Sequence, residues 1–160
     1  MEPQLDTPLP VVHTKTFPAA ALPSDRLINA KQLKHRVLFS LQHIYRLEER
    51  GEFPKRIHLG RARVAWSSAE VTAWMQAKVD ARGPCPFFQD RRPLGPEDRF
   101  VGKKELKDLV LYSPQHVRLL ELEHQFPARI QIGENRVAWL ERELEHWRIL
   151  RKLDRLKRDG

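Results

Sequence analysis

A single cysteine, Cys85, in 160 residues excludes an internal disulfide and any cysteine-rich zinc site. No cysteine or second histidine stands at ligand spacing from His43 or His116, so no metal site is expected. The glycines are scattered, and none builds the clustered loop that cradles a phosphate. No nucleophile–base pattern or carboxylate pair stands out, so the chain does not read as an enzyme and no cofactor is expected. No apolar run is long enough to cross a bilayer. No charged start leads into an apolar stretch and cleavage site, which argues against a secretory signal and for a soluble cytoplasmic protein.

Positive charge is what the chain has in excess. It carries 29 Lys and Arg against 21 Asp and Glu, a net +8, with a pI near 10.0. Such a balance favours a polyanionic partner, although charge alone does not separate DNA from RNA or an acidic membrane surface. The length suits one ordinary domain or two very small ones.

The most structured stretch is SLQHIYRLEERGEFPKRIHLGRARVAW, residues 40–66. Ser40 suits a helix N-cap, because its hydroxyl accepts from an otherwise unpaired backbone N–H. Gly51 can adopt the left-handed conformation that closes a helix, and Pro54 forbids continuation. Ile57 and Leu59 then alternate with Arg56 and His58 at strand period. Gly60-Arg61-Ala62 turns the chain, and Arg63 to Trp66 returns, giving a short capped helix beside a basic hairpin. Before it, Asn29 and Gln32 form a capping box for a helix to about Arg36, with Leu33 and Val37 inward. After it, Ser67 and Glu70 form another, starting a helix to about Arg82 that turns Val71, Trp74 and Met75 to the core.

This pattern occurs twice. Residues 26–82 lie over 99–155 without a gap at an offset of 73, and 23 of 57 positions are identical, which marks an internal duplication. Pairs include Ser40/Ser113, Gln42/Gln115, His43/His116, Phe53/Phe126, Gly60/Gly133, Arg63/Arg136, Trp66/Trp139 and Trp74/Trp147. The four tryptophans are expected in the cores of units too small to close otherwise, rather than as stacking platforms for single strands. The chain therefore divides into a flexible proline-containing arm (1–25), a first unit (26–82), a linker with four prolines and two glycines (83–98) and a second unit (99–158) with a longer last helix. On that helix Leu144, Trp147, Leu150, Leu153 and Leu156 make a stripe that packs on its own hairpin or forms a partner surface.

Tyr45-Arg46-Leu47, Gly51-x-Phe53-Pro54, Gly60 and Trp66, in this order and spacing, resemble the AlpA family of small phage and prophage regulators. The resemblance implies a mainly α fold with small β-hairpin wings: two tandem winged helix-turn-helix domains, similar to excisionases and to the DNA-binding head of MerR regulators. It further implies sequence-specific binding of duplex DNA, either to regulate a promoter or to bias an integrase toward excision. The second unit departs from the pattern, with Arg118-Leu119 at the Tyr-Arg pair, His124 at the Gly51 position, and Glu134-Asn135 at the hairpin tip.

A helix in the major groove presents its N-terminal side chains to base edges. Ser40 and Ser113 open the two candidate helices, and Gln42 and Gln115, two positions on, suit adenine. His43 and His116 follow as donors to phosphate or guanine. Arg46 suits guanine or a phosphate, Tyr45 a phosphate, and Arg118 takes Tyr45's place. Arg61, Arg63 and Arg136 on the hairpins suit backbone or minor groove. Lys31, Lys34, Lys103, Lys104 and Lys107 on the preceding helices suit the backbone. The alternative for each cation is a solvated surface group.

Residues 26–82 carry 12 basic and 5 acidic side chains, a net +7, whereas 99–155 carry 12 and 9, a net +3. The first unit is thus the stronger electrostatic binder. Two readings follow. Both units dock on adjacent half-sites, for which direct repeats are the simplest match to a head-to-tail chain. Alternatively the chain is an adaptor, whose first unit binds DNA and whose second, with Glu121, Glu123, Glu134, Glu141, Glu143 and Glu145, binds an integrase, RNA polymerase or another copy of itself. RNA binding is weaker, since neither unit shows the aromatic-basic motifs of common RNA modules.

Overall fold

The computed structural model describes residues 25–85, 88 and 90–160. Almost all of the expected N-terminal arm, and Phe87 of the linker, lie outside these residues. Two similar halves follow one another, each mixing helices with a small antiparallel sheet, six helices in all among the described residues.

The first half runs β1 (Leu27–Ile28), α1 (Ala30–Val37), α2 (Leu41–Glu49), β2 (Ile57–His58), β3 (Val64–Ser67) and α3 (Ser68–Arg82). The second repeats the order as β4 (Phe100–Val101), α4 (Lys103–Val110), α5 (Pro114–Leu122), β5 (Ile130–Gly133), β6 (Arg136–Leu140) and α6 (Glu141–Arg158). The strands β1 and β4 were not legible in the sequence. Two residues show no periodicity, and it is pairing that makes them strands: Ile28 opposite Trp66, Val101 opposite Trp139. Each extends its hairpin to three strands, ordered β1-β3-β2 and β4-β6-β5.

Local chemistry sets the helix ends. Asn29 and Gln32 cap α1 reciprocally at 2.9 Å, and Ser40 and Ser113 accept from the amides of His43 and His116. Between α1 and α2 the chain turns through left-handed backbone at Leu38 (φ 68°), and Leu111 (φ 59°) repeats the turn. Ser67 accepts from the amide of Glu70 at 3.1 Å and donates to the carboxylate of Asp25.

Each half buries one repeated polar cluster that the sequence reading missed. The carboxylate of Glu48 accepts from Trp66 Nε1 (2.9 Å), the Arg56 amide (3.1 Å) and the Arg56 guanidinium (2.8 Å). Glu121 does the same with Trp139 (3.0 Å) and Arg129. Such a buried carboxylate is stable because every lone pair facing the core has a donor.

The halves share a core. Phe100, Ile130, Ile132, Ala138 and Leu140 of the second belong to one buried cluster with Phe39, Phe53, Trp74 and Met75 of the first. The ring of Trp74 meets Phe53 at 5.0 Å and Phe100 at 6.4 Å between centroids. The buried pair Arg82–Glu143 (2.6 Å) spans the junction, and Arg82 also donates to the carbonyl of Ala128 at 2.9 Å. The 83–98 segment is fastened as well. Buried Arg36 donates to the carbonyls of Asp98 (2.9 Å) and Gly95 (3.1 Å), Leu94 N donates to Gln76 (2.8 Å), and Phe88 is buried against His146. No helix among the described residues is long and apolar enough to cross a membrane.

Candidate nucleic-acid interface

The start of α2 is built to face outward. Ser40 holds the His43 amide at 3.3 Å, leaving Gln42 and Arg46 exposed on the side away from Ile44, which the core buries completely. His43 is half-buried, its ring 4.6 Å from that of Phe39. Burial first, then the charges of Arg46, Arg136 and Arg50, holds its pKa below the ordinary histidine value, so it is a neutral donor and acceptor at neutral pH. The Tyr45 ring is half-covered by Arg56, whose guanidinium lies 4.1 Å above it.

Of these side chains Ser40, His43 and Arg46 line one wall of an open cleft, with Lys34, Lys78 and Glu52 beside them, while Gln42 and Tyr45 lie outside it. The opposite wall comes from the other half of the molecule: residues 131–136, the tip of the β5–β6 hairpin. Arg136 donates to the carbonyl of Leu38, and its guanidinium lies 5.7 Å from the Phe39 ring. The structure thus puts Arg136 beside His43 rather than at a free tip, although its side chain remains exposed. Arg50 and Lys78 complete the cationic lining; the sequence reading had assigned neither a role.

Other expected residues stand apart. Arg61 and Arg63 are exposed on the β2–β3 turn, closed by a 2.9 Å bond from Leu59 N to the Arg63 carbonyl. Lys31 lies exposed on α1, as do Lys103 and Lys104 on α4. On α5, Ser113 caps the helix at the His116 amide (3.2 Å), and Gln115, His116 and Arg118 are exposed. Arg118 reaches the Glu121 carboxylate at 3.6 Å. Where α2 has Arg46 and Glu49, α5 has Leu119 and Leu122, both at least half exposed. Of the acidic residues credited with making the second unit a protein binder, Glu121 and Glu143 are buried in the pairs described above, and Glu141 bonds Arg99. The α6 stripe divides: Leu144 and Trp147 are core, while Leu153 and Leu156 are exposed. No group of three or more acidic, histidine or cysteine side chains suited to a metal ion occurs among the described residues.

Two segments, 26–79 and 99–152, match the family described as prophage CP4-57 regulatory protein (AlpA), and together they make up more than half of the chain. The chain belongs to the AlpA family. Both halves of the duplication are AlpA units, so it is a tandem AlpA protein. It is also similar to the uncharacterized protein ORF88 of Enterobacteria phage P4, with 33% identity over 82 residues, 51% of this chain and 93% of that protein. No solved structure matches it. AlpA proteins are phage regulatory proteins, and the exposed cationic lining of α2 is the feature of this member that bears on such a role.

Proposed function

We propose that this chain is a sequence-specific, double-stranded DNA-binding regulator of a prophage or integrative element. It acts at a promoter or as a factor directing an integrase toward excision, two roles that need the same module. Residues 26–82 and 99–158 are then winged helix-turn-helix units, α2 and α5 their recognition helices, and β2–β3 and β5–β6 their wings.

The observation that carries this reading is the wall of the cleft. An N-capped helix offers Gln42 and Arg46 outward at its first turns, and Arg46 lies in the cleft with Lys34, Arg50, Lys78 and Arg136, five cations against the two carboxylates Glu52 and Glu134. Free amides at a helix start and a ring of cations suit phosphate, while a glutamine and an arginine on the outer face suit base edges. His43, neutral and next to the cap, has a ring nitrogen to offer without adding charge. Arg61 and Arg63 contact backbone or minor groove from the first wing, as does Lys31 from α1. Lys103, Lys104, Gln115, His116 and Arg118 form the second, weaker reading surface. Direct repeats are the simplest match to the head-to-tail order of the units, and the tie through Arg82–Glu143 and the shared core favours one fixed spacing between half-sites.

The adaptor reading keeps one specific support, the exposed Leu119 and Leu122 on α5 where α2 is charged. Selection of bound duplexes from a random library by the full chain tests both readings. Two related half-sites at one spacing mean that both units read DNA, and a single short site means that only the first does. No enriched sequence overturns sequence-specific binding. The Lys103→Gln/Lys104→Gln double variant adds a second readout: the slope of log affinity against log salt falls by about one per lost phosphate contact if α4 docks, and is unchanged in the adaptor.

A further inference from the structure

The contact between the halves has a polarity, and the duplication leaves one further wing and one further socket unpaired. Inside the chain, the second wing is the plug. Ile130 and Ile132 are completely buried or nearly so, Gly133 lies against the Phe39 ring, and Arg136 bonds the Leu38 carbonyl above that ring. The first half is the socket, made of Leu38, Phe39, Trp74 and the side of α2 that carries His43, Leu47 and Arg50.

Moving each residue by the repeat offset gives the complementary pair. The plug positions of the first wing are Ile57, Leu59, Gly60 and Arg63, with Ile57 37% and Leu59 53% exposed although their counterparts are core. The socket positions of the second half are Leu111, Tyr112, Trp147 and the side of α5 that carries His116, Leu120 and Glu123, and Leu111 is 84% exposed. This second socket is already formed. Tyr112 meets Trp147 at 5.9 Å and 73°, as Phe39 meets Trp74 at 5.9 Å and 72°, and Tyr112–His116 repeats Phe39–His43 at 4.5 against 4.6 Å.

Charge changes in step on both sides. In the cleft beside the internal contact Arg50 lines the helix wall and Glu134 the wing wall. Their counterparts are Glu123 and Arg61, the same opposition with the signs exchanged. A wing carrying Arg61 thus meets a socket carrying Glu123. Exposed Leu119, in place of Arg46, removes a cation that would have repelled it.

We propose that the socket on the second half receives the first wing of another copy of this chain, repeating the internal contact between molecules in a head-to-tail array. Such a contact is heterologous and leaves a free plug and a free socket at the ends, so growth is open-ended. Arg148 and Lys152 stand where the internal contact has Met75 and Val79, so less apolar surface is buried and the association is of the weak, transient kind. Arg136 stays exposed while docked, so a docked Arg63 keeps a face for phosphate.

Sedimentation of the full chain without DNA, from micromolar to millimolar concentration, tests this independently of any DNA-binding role. The average mass should rise with concentration. R61E and E123R each place like charges across the contact and should lower the association constant roughly tenfold or more. Both positions are exposed, and circular dichroism verifies that the variants fold. An equimolar mixture of R61E with E123R re-creates an opposite pair and should regain the wild-type mass. A wild-type chain that stays single throughout, variants that associate like wild type, or a mixture that does not regain mass would each overturn the proposal.

Discussion

Glu48 shows how a single side chain acquires its role. On the helical wheel it falls beside Ile44 and Leu47, where a charge is out of place. The fold keeps it there because the Trp66 indole and the backbone and side chain of Arg56 all donate to it. Truncating one partner leaves the others buried without an acceptor, which costs more than the net worth of the bonds. Glu48→Ala should therefore destabilise the protein by about 1–3 kcal/mol, read as a lower urea midpoint with an unchanged slope. The residue pattern was present twice, at Glu48/Arg56/Trp66 and Glu121/Arg129/Trp139, and the repeat alone could have revealed it. Without coordinates, however, nothing indicates that positions 8 and 18 residues from the glutamate converge on it. By contrast, Ser40, Ser113 and the Asn29–Gln32 box were legible, because a cap is satisfied within one turn.

At the scale of elements, the helices were legible and two of the strands were not. The α1–α2 corner is instructive. Its left-handed residue is leucine in both halves, at a conformational cost of about 1–2 kcal/mol that glycine would avoid. Leu38 recovers this by packing into the shared core, its side chain next to Gly102, where an added Cβ would stand 3.4 Å from it. Leu111 is nearly free of contacts in a single molecule. Replacing it by glycine should thus raise stability by about 0.5–1 kcal/mol once the entropy of glycine is subtracted, whereas Leu38→Gly should lower it. Thermal unfolding of the two variants reads both signs. A costly leucine kept on the surface is what a socket position would look like.

For the whole molecule, composition and repetition suggested two beads on a string, and packing produced something more tightly joined. The buried Arg82–Glu143 pair and the aromatic cluster around Trp74 cross between the halves, and the Arg36 bonds to Gly95 and Asp98 fasten the joining segment to the first. Unfolding should accordingly be a single cooperative transition, with near- and far-ultraviolet signals coinciding in urea. Two separated transitions would show that the halves are independent. The same packing moves Arg136 out of the simple role of a free wing tip and makes it part of the wall facing α2.

The sequence by itself determined the duplication, the helices and their caps, the buried tryptophans, the turn residues of the hairpins and the family. All of these depend on neighbours within a turn or on like residues at a constant offset. Only the tertiary structure decided that β1 and β4 are strands, that Glu48 and Glu121 are internal, and that the second hairpin forms the wall of the cleft opposite α2. Those outcomes depend on residues such as Leu38 and Arg136, 98 positions apart, meeting in space. Their contact follows from how two cores fuse, and no local periodicity encodes it.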